Sequence, residues 1–225
     1  MNSFSPSSID TILYDLDGTL ADSFTPIRDS FNHMLRHFGL DRELSETDTL
    51  ALVGGALDDS VARLLPNTSV SRGTAIFREH YETIFLERTH PMPGAPDLLE
   101  KIFRRGLPQG VITNKLGRSA REIIRHFGWN ALLPLCLGEG DGLPLKPYPD
   151  MIVSAAKTLK TRPENLLFVG DSPFDFLAAR KAGCRICLLT TGTHRRVELA
   201  PLRPDLLFDS LDELGEWLRE PDRGR

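Results

Sequence analysis

The sequence predicts an α/β protein: a parallel sheet with helices on both faces, interrupted by an inserted helical subdomain. Three observations carry this. Short apolar runs alternate with amphipathic stretches along most of the chain, one long interval between the first two runs carries only helical signals, and polar groups follow directly on several of the runs. Strand signals fall at residues 11–14, 110–113, 133–137, 166–169, 186–190 and 206–208, with helical patterns at 119–127, 150–159 and 174–182 among them. Such alternation builds βα units and hence a parallel sheet.

The interval after the first strand breaks that rhythm. A crossover between parallel strands needs only about a dozen residues or more, whereas residues 15–109 separate the first two strand signals. Within it Ile27, Phe31, Met34, Leu35 and Phe38 form an apolar stripe at helical spacing over 24–40. Residues 58–65 and 74–86 also read as helices. The excess is expected to be a helical cap at 23–90, leaving residues 1–22 and 91–225 as the core domain. Pro91, Pro93, Gly94 and Pro96 stiffen and turn the returning chain.

The totals set the class. A chain of 225 residues with 40% hydrophobic content suits one large domain or one domain with an insertion. A net charge of −4, with acids and bases intermixed, gives no basic face for nucleic acid. Three cysteines do not make a disulfide framework, so a reducing, cytoplasmic setting is expected. The opening "MNSFSPSSID" has neither the basic nor the apolar region of a signal peptide, and no run approaches the ~18 apolar residues of a membrane span. Residues 1–8 read as a loose leader and the closing "REPDRGR" as a frayed tail.

Chemistry is concentrated where apolar runs end. In "TILYDLDGTLADS" the first strand leads into Asp15 and Asp17. Residues two apart on a strand face the same way, so the pair is expected to present two carboxylates to one space. That space lies beyond the strand's carboxyl end, where open parallel sheets bind ligands. Gly18 permits a sharp turn there. By itself the pair also reads as a capping Asp followed by a turn Asp. "GVITNK" ends a strand with Thr113, Asn114 and Lys115, alone an N-cap turn. "LPLKPYPD" sets Lys146 in a proline-flanked loop, alone a solvated charge. "LLFVGDSPFD" supplies Asp171 and Asp175, alone an ordinary helix start. Together the four segments assemble carboxylates, a hydroxyl, an amide and an ammonium, which separate accidents explain poorly.

In this order, "DLDGTLADS", "ITNK", "LKPYPD" and "VGDSPFD" closely resemble the four motifs of the haloacid dehalogenase-like hydrolase superfamily, over residues 10–213. The stretches "PGAPDLLEKI", "RHFGW" and "AARKAGC" are similar to its phosphoglycolate phosphatase branch. The resemblance implies a Rossmann-like sheet with the first strand central, and a helical cap inserted after that strand. It implies hydrolysis of a small phosphate monoester through an aspartyl-phosphate, with Mg²⁺ as cofactor. Asp15 is then the nucleophile. The metal is held by the Asp15 and Asp171 side chains and the Asp17 carbonyl. Asp175 supports the metal through water or holds Lys146. Thr113 and Asn114 bind the phosphoryl group, and Lys146 balances its charge. Asp17 is the general acid and base. For this it must carry a proton when substrate binds, which neighbouring carboxylates and partial burial are expected to favour.

Rival readings share much of this. A dehalogenase would not need Asp17. A phosphomutase, a pyrophosphatase or a nucleotide phosphatase uses the same core motifs and differs chiefly in the cap. A catalytically dead phosphate-binding module would usually lack one of Asp15, Asp17, Lys146 or Asp171. In the cap, the Gly54-Gly55 turn reads equally as a simple turn or as a contact with substrate, the use the resemblance implies. Arg28 and Arg63 read as solvated charges. Cys184 and Cys187 have CxxC spacing but no second pair, and residues three apart on a strand face opposite sides.

Overall fold

The computed structural model describes residues 5–219, so the leader reading over 1–4 and the tail reading over 220–225 lie outside the described residues. Residues 5–8 are not loose leader: Pro6–Ser8 form a single 3-10 turn, and the buried Ile9 follows. The elements then run β1 (Thr11–Tyr14), β2 (Ala21–Asp22), α1 (Phe24–His37), α2 (Glu46–Leu50), α3 (Leu57–Leu64), α4 (Val70–Arg88), β3 (His90–Pro91), α5 (Ala95–Arg104) and β4 (Gln109–Leu116). They continue α6 (Gly117–His126), β5 (Leu135–Glu139), α7 (Asp150–Leu159), β6 (Leu166–Gly170), α8 (Pro173–Ala182), β7 (Arg185–Leu189), α9 (Arg196–Leu199), β8 (Leu206–Phe208) and α10 (Leu211–Trp217).

Six strands form one parallel sheet in the order β5-β4-β1-β6-β7-β8. The first strand is internal because the chain builds outward from it in both directions, first to β4 and β5, then back across to β6, β7 and β8. The strands read as unbroken apolar runs because both faces are covered. Ile12, Tyr14, Val111, Leu167, Val169, Cys187 and Leu189 join one core. Their neighbours Leu13, Ile112, Leu166, Phe168, Ile186 and Leu188 join the other, packed under α7 and α8. Cys184 and Cys187 divide between these two cores, and burial pushes both thiols up.

Some boundaries move for local reasons. The strand expected at 133 begins at Leu135, since Leu132 and Leu133 close a turn onto the Trp129 carbonyl and Pro134 has no N–H to offer a ladder. β4 runs past the expected 113 to Leu116, across a register shift between Ile112 and Leu116. α2 has a capping box between Ser45 and Asp48 but buries only Thr49, so no apolar stripe marked it. Among the described residues, no helix is long and apolar enough to cross a membrane.

From β2 to β3 the chain forms the inserted helices α1 to α4. Its two ends lie side by side in a short antiparallel ribbon, not foreseen, that pairs Ala21 with Pro91 and Asp22 with His90. Phe31 on α1 meets Phe77 on α4 with ring centroids 4.6 Å apart, and Phe77, Tyr81 and Phe85 stack in turn along α4. Burying rings of this size dominates such a small core. Phe31 is fully buried, so Phe31→Ala is expected to cost about 3–5 kcal/mol. Urea denaturation followed by tryptophan fluorescence and by circular dichroism checks this, as a shift of the midpoint to lower urea.

Candidate active site

β1 stops at Tyr14, and the Asp15 amide still donates to the Val169 carbonyl of β6, which holds Asp15 beside that strand's end. Residues 16–21 then fold into one tight turn on the Leu16 carbonyl. Gly18 at its centre has φ +82°, and a Cβ there would lie 2.8 Å from Asp171 Oδ2. The turn therefore brings the backbone against the acid that follows β6, an approach that only glycine allows.

Asp171 and Asp175 flank the start of α8. The Asp175 carboxylate closes a capping box: Oδ2 accepts from the Ser172 amide and hydroxyl and from the Asp171 amide, at 3.0, 2.6 and 3.3 Å. Its Oδ1 accepts from Lys146 Nζ at 2.7 Å, and the same ammonium lies 2.8 Å from Asp15 Oδ1. Thr193 donates its amide and hydroxyl to Asp171 Oδ2, both at 2.7 Å. Lys146 arrives on the loop before α7, which Asn114 holds: Asn114 Oδ1 accepts from the Lys146 amide at 2.8 Å, and Nδ2 donates to the Lys146 carbonyl at 2.9 Å.

Asp15, Asp171 and Asp175 each present an oxygen within 4.8 Å of the other two. All three are buried, as is Lys146, so three carboxylates share one ammonium out of reach of solvent. Burial pushes the Asp15 and Asp171 carboxyls above the ordinary carboxylate range, and Asp175 adds to it; Lys146 pulls Asp15 part of the way back. Burial opposes the Lys146 charge, but the carboxylates of Asp15 and Asp175 outweigh it and raise its pKa. Hard oxygen donors short of positive charge fit a divalent cation. Asp175 has Oδ1 on Lys146 and Oδ2 on the α8 cap, whereas Asp171 Oδ1 accepts only a longer 3.3 Å bond from the Thr19 hydroxyl, so Asp15 and Asp171 are the better ligands.

Asp17 departs from expectation. Its carboxylate is not part of that cluster; it turns to Lys115, whose Nζ lies 2.9 and 3.0 Å from its two oxygens, and accepts from the Ser23 hydroxyl. A cation, rather than neighbouring carboxylates, is what Asp17 faces. The side chains of Asp17 and Lys115 are only 12% and 7% exposed. Burial opposes the Lys115 charge, and the adjacent Asp17 more than offsets it.

Asp15, Asp17, Thr113, Asn114 and Lys115 open onto one cavity of about 90 Å³. Ile27, Phe31, Leu52, Leu57 and Phe77 cover it from the inserted helices, and the Gly54-Gly55 turn forms part of its wall. Asn114 spends its second donor on the Gly54 carbonyl at 2.9 Å, so its side chain ties core to cap in this structure. Thr113 Oγ1 accepts from the Lys115 amide at 3.2 Å, which leaves its own proton free to donate. Arg28 faces a separate groove and Arg63 donates to the Ala51 carbonyl. The residue passed over in "ITNK" is Lys115. Strand alternation was the available signal, since it sets Lys115 on the face of Thr113.

Residues 12–189 match the haloacid dehalogenase-like hydrolases. The chain belongs to that family and falls with its phosphatases. A phosphoglycolate phosphatase of Haemophilus influenzae is 30% identical over 212 residues, covering 89% of this chain and 94% of the relative. Pyrophosphatase PpaX of Anoxybacillus flavithermus is 26% identical over 210 residues, covering 92% and 95%. The solved structure of a haloacid dehalogenase-like family hydrolase from Streptococcus pneumoniae has a TM-score of 0.87 at 26% identity, covering 95% of this chain and all of that one.

The charge shortage has a measurable sign. A carboxyl whose folded pKa is raised binds more protons folded than unfolded, so its contribution falls as pH rises through that folded pKa. With chelator present, stability is expected to drop between about pH 5 and pH 8, and Asp15→Asn to flatten that slope. Mg²⁺ should restore the wild type most at the alkaline end. Thermal unfolding across pH, with EDTA and with Mg²⁺, reads all three.

Proposed function

We propose that this protein is a cytoplasmic, Mg²⁺-dependent phosphatase that hydrolyses a small phosphate monoester through an aspartyl-phosphate on Asp15, with phosphoglycolate as the leading substrate. The observation that carries the reading is the convergence of Asp15, Asp171, Lys146 and Asp175 at the strand ends, beside the cavity that holds Asp17. Residues 1–22 and 91–225 serve as the catalytic core and 23–90 as the cap. The relatives named for phosphoglycolate and for pyrophosphate favour these two substrates, both of which carry a second anionic group close to the phosphorus.

Bound between Asp15, Asp171 and the Asp17 carbonyl, Mg²⁺ would offset the repulsion between an anionic nucleophile and a phosphate. The Leu16 amide and Lys146 both engage Asp15 Oδ1, which orients the carboxylate and leaves Oδ2 to attack. A new Asp15 O–P bond forms as the bond from phosphorus to the leaving oxygen breaks, and that oxygen takes a proton from Asp17. Water then attacks the phosphoaspartate, returns a proton to Asp17 and releases phosphate and the Asp15 carboxylate. Thr113 donates to a phosphoryl oxygen, Lys146 neutralises the transferring group, and Asn114 acts by fixing the Lys146 loop. Asp175 holds the Lys146 ammonium in place. The inserted helices exclude water from the first step.

Phosphate release with Mg²⁺ from phosphoglycolate and from pyrophosphate tests the reading, with Asp15→Asn as the blank; no Mg²⁺-dependent release from any small phosphoester would refute it. Asp17→Asn is expected to leave substrate binding largely intact and to lower kcat by roughly 10²–10⁴-fold. Lys146→Ala should cost roughly 10²–10³-fold in kcat, the scale of removing one preorganised donor. Near-normal kinetics in either variant would end the role assigned to that residue.

A further inference from the structure

Lys115 is a buried cation that the phosphoryl chemistry above leaves unused. It sits near the end of β4 with its ammonium on Asp17 and 4.7 Å from the Tyr81 ring centroid. The Tyr81 hydroxyl is buried and makes no sound hydrogen bond, although Lys115 and Thr89 lie beside it. Of the other charged groups of the cavity wall on this side, Arg78 pairs with Glu139 through a terminal nitrogen and keeps a buried Nε without a partner, and Glu82 accepts from Ser119 and pairs with Arg118. Lys115 is instead paired with the side chain that the reaction needs.

We propose that Lys115 is the specificity-determining residue for a second anionic group on the substrate, which it accepts in exchange for Asp17, with the Tyr81 hydroxyl as an added donor. The inference rests on the phosphatase reading and names its substrate class: a small phosphoester or anhydride with a carboxylate or phosphate a few bonds from the scissile oxygen. A buried ammonium is costly without a counter-charge. A neutral leaving group gives Lys115 nothing to replace Asp17 with, and the acid stays locked in its ion pair. An anionic one takes over the pair at constant charge and frees the Asp17 carboxylate, which, without its ammonium, takes up a proton from solvent and turns toward the leaving oxygen. The cavity of about 90 Å³ keeps such a group short.

The test compares phosphoglycolate and pyrophosphate with 2-hydroxyethyl phosphate, which has the size of the first but lacks the second charge. With Mg²⁺, the wild type is expected to favour at least one anionic substrate by about 100-fold in kcat/KM. The faster of the two identifies the group as carboxylate or phosphate. Lys115→Met should collapse the preference, while Lys115→Arg, which keeps the charge, retains most of it. Titration calorimetry on Asp15→Asn reads the same ordering without turnover. The proposal falls if the wild type handles 2-hydroxyethyl phosphate as well as the anionic substrates, or if Lys115→Met slows all three equally. It also falls if the Asp15→Asn protein binds all three alike. Should the wild type release no phosphate while calorimetry keeps the preference, the hydrolysis is wrong and the Lys115 assignment stands.

Discussion

Three clustered buried carboxylates with a single ammonium, bound to two of them, are the constraint on which this structure turns. Each would be expensive alone in a dry interior, and the fold assembles them from separate segments. Asp15 follows β1, Asp171 and Asp175 follow β6, and Lys146 comes in on a loop tied down by Asn114. Backbone presses directly on the cluster: a Cβ at Gly192 would lie 2.1 Å from Asp171 Oδ2, and one at Gly170 only 2.4 Å from the Asp175 carboxyl carbon. With glycine at these points the chain packs against the acids closely enough to shut out solvent. That dryness creates the charge shortage, and under the proposed function the shortage suits the site to a hard cation and a phosphate rather than to a salt-bridge network content with itself.

The parts of this arrangement readable in the sequence are those fixed by local pattern. Unbroken apolar runs marked strands covered on both faces, and β1, α7 and β8 match their expected limits. Polar residues after those runs marked the site, because parallel strands all deliver their carboxyl ends to one edge of the sheet. What depended on contacts between distant segments was hidden. The ribbon joining β2 to β3 is two residues long on each side and includes Pro91, so it carries no strand signal of its own. The Asp17–Lys115 pair bridges 98 positions in the chain. Asn114 looked like a phosphate ligand because its type and place allowed it; that both its donors go to backbone carbonyls depends on where the loop at Lys146 and the turn at Gly54 come to rest.

β4 is the strand where two tasks are kept apart. Ile112 belongs to the core packed under α7 and α8, and Asn114, two residues on, reaches the Lys146 loop. Val111 belongs to the opposite core, and Thr113 and Lys115 follow it toward the cavity under the inserted helices. One side of the strand thus reaches the Lys146 loop and the other the cavity, with Asn114 spanning both through its bond to the Gly54 carbonyl.

The same division gives each acid its own lysine. Asp15 shares Lys146 with Asp175 in a cluster sealed by backbone, whereas Lys115 meets Asp17 and the Tyr81 ring, and Asp17 also accepts from the Ser23 hydroxyl. In the proposed mechanism Asp15 must stay ionised and fixed as nucleophile, and a permanent ammonium under a capping carboxylate serves that end. Asp17, proposed to give and then take a proton, needs a partner it can leave. A cation facing an open cavity can exchange its one carboxylate for an incoming anion, whereas Lys146, held between Asp15 and Asp175, keeps both partners. The exchangeable pair therefore belongs where the cavity is, beneath helices that carry aromatic and aliphatic side chains, with Arg78 and Glu82 of α4 in ion pairs of their own. Placed the other way round, substrate would loosen the nucleophile and leave the acid immobilised.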